Sequence, residues 1–371
     1  MSMASTRIDG VKLKRRHLIC IVVLLCSAAA IFYVIRLSVN TRTTTKLFLN
    51  SADAVVVDHG CYYLHDVSVQ TVVSRDLLLQ LKCNKTFPAV IIAGVMKSGT
   101  TALRNFLRFH PQLAMGTSEP HFFDKKYHLG IQWYLEQMAY ATPEQMTVEK
   151  TPNYFEHPHA PRAIWENFAD RIKLIFILKE PVERAISHYT HECIVRARKE
   201  ESKWRSPSDL TKEPTRIRQT RGIVKYARIK ATFEESVVLP NGSVNTDTSL
   251  IDTGIYIKHL RRWFSVFSRE QILLLDGDEY VSDPLPTLQR VEQFLGLRSY
   301  FKEDSFYFDR NKGFYCMAHP IRSCMQPSKG RTHPYVNEDV RQLLYRFYEP
   351  YNVELAAILK QKFSWTDSTL D

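Results

Sequence analysis

The sequence offers little that would hold a metal ion. Its seven cysteines form no CxxC pair, and none stands at a cysteine–histidine spacing suited to zinc, so no metal site is expected. It also lacks a Walker GxxxxGK[ST] segment, which argues against a nucleotide kinase. Internal repeats and long low-complexity stretches are absent, so a repeat array is not indicated. Acidic residues are outnumbered, 39 against 50 lysines and arginines, and the formal net charge is +11. Such a surface attracts polyanions.

Only one long hydrophobic run occurs, over residues 18–35, preceded by Lys12, Lys14, Arg15 and Arg16 and closed by Arg36. At about 1.5 Å per residue it spans roughly 27 Å, enough for a bilayer core. The short basic flank puts the N-terminus in the cytosol. Residues 1–17 then form a tail, 18–35 a type II signal-anchor, and everything after Arg36 lies in a lumen. A cleaved signal peptide is the rival, because residues 27–30 are small, but the apolar run continues through 31–35. Residues 41–58 have few periodic apolar positions and read as a stem, with 36–86 as stem and lead-in. The sequons Asn84-Lys-Thr86 and Asn241-Gly-Ser243 suit a luminal location, where a polyanionic partner is a sulfated glycan rather than nucleic acid. Cys316 and Cys324 are near enough for a short-loop disulfide. Cys61, Cys83 and Cys193 leave at least one thiol free or intermolecular.

Residues 87–371 alternate strand-like and helix-like patterns. Apolar runs at 89–93, 172–178 and 271–275 read as strands, and 100–109, 182–189 and 286–295 as helices, with further helices at 256–267 and 337–348. This order argues for one α/β domain with a central parallel sheet flanked by helices, and ligands bound beyond the carboxyl ends of the strands. Residues 191–232, charged and rich in arginine and lysine, read as a surface insertion.

The first strand runs into Lys97-Ser98-Gly99-Thr100-Thr101 and then a helix, which is how a chain builds an anion cradle: loop and helix-start N–H groups face the ligand and Lys97 adds a charge. Lys179 at the second strand end and Ser187 about two turns into the next helix can share a phosphate. Lys329 and Arg331 flank Gly330, with Thr332 and His333 beside them. Between these loops, Glu119, His121 and Asp124 fall within seven residues, and Lys150 follows a short strand-like segment. Transfer of an activated group from an anionic donor to a hydroxyl needs a base for the proton and a cation at the leaving oxygen. Glu119 suits the first and Lys97 the second, while His121 orients or shares the proton.

KSGTTAL, SEPHFFD, VEKTPNYF, KEPVERAISHYT, GIYIKHLRRWF, DRNKGFYC and KGRTHP occur in an order that resembles the heparan sulfate glucosamine 3-O-sulfotransferases. The resemblance covers about residues 87–365. It implies a P-loop-like sulfotransferase domain behind a membrane anchor, in the Golgi, using 3′-phosphoadenylyl sulfate (PAPS) to sulfate the 3-hydroxyl of glucosamine in heparan sulfate. It implies donor-binding roles for residues 97–101, Lys179, Ser187, Tyr315 and residues 329–333, and catalytic roles for Glu119, Lys97, His121 and Lys150. Contacts with the acceptor are implied for Glu119, Pro120, His121, Phe122, Phe123, Asp124, Lys125, Lys150, Thr151, Pro152 and Asn153, and a disulfide for Cys316–Cys324.

Three positions depart from the family pattern. Met96 and Thr101 stand where basic residues are usual, leaving the preferred saccharide open. Lys179 replaces an arginine and with it the bidentate fork. The alternatives are N-sulfation, towards which the KSGTTAL loop leans, and a heparan-binding protein without catalysis. Oligomeric state is left open.

Overall fold

Five short apolar runs fold as parallel strands, each sharing its backbone hydrogen bonds with a neighbour. In the computed structural model they are β1 (Val90–Gly94), β2 (Leu113–Met115), β3 (Met146–Lys150), β4 (Lys173–Leu178) and β5 (Ile272–Asp276), in the order β5-β4-β1-β3-β2. From β1 the chain moves to one side for β2 and β3, then crosses to the other for β4 and β5. The crevice at that reversal lies at the carboxyl end of β1, where ligands bind in open α/β sheets. The structure describes residues 47–49, 55–204, 232–325 and 333–366, which belong to one unit over Leu47–Asp371.

Side chains alternate across the sheet, so both faces are apolar. Val90, Ile92, Ile175, Ile177 and Leu275 pack on Leu103 and Phe106 of helix α1 (Thr100–Leu107). Ile91, Ala93, Leu174, Phe176 and Leu274 face the opposite way, towards Leu260 and Trp263 of a later helix (Tyr256–Phe264). These two layers cover the sheet and fix its ends in space. The strands and helices expected from periodicity are all present, with bounds moved by a few residues at most ends.

Three features begin or end elsewhere than expected. The lead-in is part of the folded body: Val55–His59, Tyr62–Leu64 and Gln70–Val72 pair in an antiparallel sheet, and Val57, Cys61, Tyr62 and Leu64 enter the same core as β1. Cys61 bonds Cys83 across a separation of 22 residues, leaving Cys193 as the free cysteine among the described residues. The expected Cys316–Cys324 disulfide is also present. Helix α2 (Pro181–Trp204) runs well into the expected insertion, so residues 191–204 of it are helical. Its arginines, lysines and glutamates are good helix formers.

Residues 205–231 of the insertion, the 18–35 run and the stem up to residue 46 lie outside the described residues. Among the described residues no helix is long and apolar enough to cross a membrane.

Opening the Cys61–Cys83 loop frees the denatured chain. Replacing both cysteines with serine is expected to cost about 3 kcal/mol. Denaturant unfolding of the double variant checks this, and an unchanged midpoint would show that the bond adds nothing.

Candidate active site

The loop after β1 is held in an unusual backbone. Lys97 has φ +73° and Gly99 φ +106°, a region that L-residues avoid and glycine tolerates. Gly99 caps α1 without a side-chain hydrogen bond, so the first N–H groups of the helix stay available to an anion. Gly277, just after β5, lets the chain approach closely: a Cβ there would lie 2.6 Å from the Leu178 carbonyl oxygen and 2.7 Å from that of Ser98. Loop, second strand end and third strand end are thereby drawn together.

Over this loop opens a cleft of about 900 Å³. Its walls carry Lys97, Ser98, Gly99, Thr100 and Thr101 from the loop and helix start, Glu119, His121 and Lys125 from the second motif, Lys150 at the end of β3, and Pro152 and Asn153 just after it. Lys179 and Ser187 close one side. Residues far apart in sequence thus share one cavity.

Three groups on its wall, Lys150, Glu119 and His121, form a chain of charges that Asp124 extends from behind. Glu119 takes a close ion pair from the buried ammonium of Lys150, which also reaches Thr101 Oγ1 at 3.4 Å. His121 Nε2 lies 3.4 Å from the other Glu119 oxygen, and its Nδ1 lies 2.8 Å from Asp124 Oδ2. Burial would raise the Glu119 pKa, but hydrogen bonds from His121 and Lys150 and the ammonium charge overcome it, holding the carboxyl at about 2. Hydrogen bonding to Asp124, then to Glu119, lifts His121 to about 9 against its own desolvation. At neutral pH the row is carboxylate, imidazolium, carboxylate and ammonium.

These shifts act on stability in opposite directions. The contribution of His121 is full below its ordinary value of 6.5 and is lost as pH rises through about 9. That of Glu119 is present above 4.5 and is lost as pH falls through about 2. The gap in melting temperature between the native protein and His121→Asn should therefore narrow from pH 6.5 to about 9. A constant gap over that range would contradict this assignment.

Behind the row, Glu149 is buried between Tyr134, whose hydroxyl donates at 3.2 Å, and Thr151. Burial pushes its carboxyl up to about 8, so it is mostly a neutral acid at pH 7. On the phosphate side, Lys179 Nζ is paired with Asp278 Oδ1 at 2.9 Å. Glu180 accepts the N–H groups of Val182 and Glu183 and so caps α2, and burial raises it to about 7. His333 lies within electrostatic reach of Lys179 and Lys97, with Nδ1 buried and lacking a hydrogen-bond partner. Lys329, Gly330, Arg331 and Thr332 lie outside the described residues.

Some expected acceptor contacts are not on the cleft wall. Phe122 and Phe123 are buried in an aromatic cluster with Tyr134 and Tyr154, where they fix the Glu119–Asp124 turn. Pro120 and Thr151 are buried too; Thr151 Oγ1 accepts the His121 N–H at 3.4 Å. Asp124 faces away from the cleft and acts on it through His121. Tyr315, on the strand Phe314–Met317, packs edge-on against Phe308; its neighbours Lys312 and Phe314 reach the cleft. Asn84 and Asn241 are exposed.

Sequence reasoning missed Asp278, Glu149, Glu156, His188, His191, Thr248 and Ser249, all at or behind the wall. His188 and Glu149 stand inside quoted motifs, which was their signal, whereas Thr248 and Ser249 carry no local signal. Among the described residues, the one grouping compact enough for a metal is Asp309 with Cys316 and Cys324, whose sulfurs are joined in the disulfide.

Comparison with known proteins agrees with this geometry. Residues 87–352 match the model of the sulfotransferase domain family. Heparan sulfate glucosamine 3-O-sulfotransferase 5 of Mus musculus is 36% identical over 296 residues, covering 78% of this chain and 76% of that protein. Heparan sulfate glucosamine 3-O-sulfotransferase 3B1 of Homo sapiens is 37% identical over 286 residues, covering 76% and 66%. In fold, the chain is similar to the crystal structure of a sulfotransferase from Alicyclobacillus acidocaldarius, with a TM-score of 0.50 at 19% identity, over 75% of this chain and 98% of that one. By the matched domain and by these identities over three quarters of its length, the chain belongs to the heparan sulfate glucosamine 3-O-sulfotransferase family.

Proposed function

We propose that this protein transfers the sulfuryl group of PAPS to the 3-hydroxyl of glucosamine in heparan sulfate. The observation that carries the reading is the meeting of Glu119, Lys150 and Lys97 in one cleft, in a chain of this family. The residues suit the donor: an uncapped helix start beside Lys97 for the phosphosulfate end, and Lys179, Ser187 and His333 for a second phosphate. The donor supplies an activated sulfuryl group. The acceptor oxygen bonds to sulfur as the bond from sulfur to the bridging phosphate oxygen breaks. Glu119 takes the hydroxyl proton. Lys97, helped by Lys150, meets the negative charge left on the departing oxygen.

The expected setting is the Golgi lumen, with residues 18–35 as the anchor and glycans at Asn84 and Asn241. The basic balance of the chain and the luminal sequons support it. Incubating the fragment from Leu47 onward with radiolabelled PAPS and heparan sulfate tests the reaction. Label retained on the polysaccharide supports it, and label that stays with the nucleotide while glycan is bound would leave only a binding protein.

A further inference from the structure

Asp124 uses one oxygen to hold His121. Its other oxygen, Oδ1, has no hydrogen-bond partner, although the side chain is only 4% exposed. Asp124 is one of the residues lining a second cleft of about 610 Å³. His157 lines the same cleft, and its Nδ1 is also buried and unpaired. Burial lowers the His157 pKa, so the ring is neutral at pH 7 and can donate or accept. A carboxylate and an imidazole lining one cavity, each with a buried polar atom left open, call for a ligand bearing hydroxyl groups.

The rest of the cleft fits a sugar. Tyr127 is 49% exposed and offers an aromatic face, and Arg162 and His159 stand at the rim to meet a carboxylate or sulfate. Fixed charges in the cleft cancel, Lys125 and Arg162 against Asp124 and Glu166, so recognition here rests on local hydrogen bonds rather than on bulk attraction. Lys125 lines this cleft and the first one, so the two abut.

We propose that the second cleft is a subsite for an anionic sugar unit of the glycan acceptor, beyond the residue being sulfated. A hydroxyl of that unit donates to Asp124 Oδ1, and its anionic group meets Arg162 and His159. This rests on the reading that the acceptor is heparan sulfate. Filling the subsite also ties acceptor length to the residue that holds His121.

The test uses the double variant Arg162→Ala/His159→Ala. Both side chains are exposed, and the Arg162–Glu166 ion pair is at the surface, so the fold is kept. Binding of heparan sulfate tetrasaccharide and dodecasaccharide is measured with the reaction's nucleotide product bound, and transfer to both is measured alongside. The dodecasaccharide should bind about tenfold more weakly to the variant, with tetrasaccharide affinity and kcat unchanged within about twofold. Arg162→Lys with His159 intact should keep most of the long-chain affinity. Equal losses for both lengths, or none for the longer, would overturn the subsite. Absence of transfer by the native protein would sink the proposed reaction instead, while the length dependence of binding is read separately.

Discussion

Glu119→Gln is expected to lower kcat for sulfuryl transfer by about a thousandfold while leaving affinity for the nucleotide product nearly unchanged. Glutamine keeps the shape and still accepts from Lys150 and His121, but it cannot take a proton. At a pKa of about 2 the carboxylate is ionised at every working pH, yet it is a reluctant base. The Lys150 ammonium and His121 hold it there. On this account a phosphosulfate group that draws Lys150 towards itself makes Glu119 more basic only when the donor is in place. Steady-state kinetics and calorimetric binding check the pair of outcomes, and turnover near the native rate would remove Glu119 from the role.

Lys97→Ala has a different signature. Lys97 sits in a loop forced into a left-handed backbone at the start of α1, on the wall of the first cleft. Its charge serves the bound phosphosulfate and the departing oxygen alike. Losing a donor of that kind costs about 10²–10³ in kcat, and nucleotide affinity should fall about tenfold as well. Lys97→Arg should recover binding better than rate, because its fork is displaced from the bridging oxygen. A loss confined to affinity would mean that Lys97 binds the donor without assisting its cleavage.

How much of this was legible in the sequence depended on how local the signal was. Strands β1, β4 and β5 are near-continuous apolar runs, buried on both faces, and any window along the chain finds them. Strand β2 has three residues, and the antiparallel strands at 55–72 have three to five; their stability comes from non-local pairing and from the Cys61–Cys83 bond. No periodicity marks such pieces. The anion-binding loop was readable because its chemistry is contiguous. The Lys179–Asp278 pair was not, since its partners are 99 positions apart and meet only when β4 and β5 align. Motif membership also overstated contact: Phe122 and Phe123 stand between His121 and Asp124 in sequence but point into the aromatic core. In helix α2, charge-rich composition suggested an insertion, while the propensity of the same residues carried the helix onward and brought His191 to the wall.

The most direct measurement is the position of the new sulfate. Heparan sulfate treated with the protein and labelled PAPS is digested and its disaccharides are mapped. The account predicts label on the glucosamine 3-hydroxyl, lost with Glu119→Gln. Label on the glucosamine nitrogen, or label that survives that substitution, would contradict it.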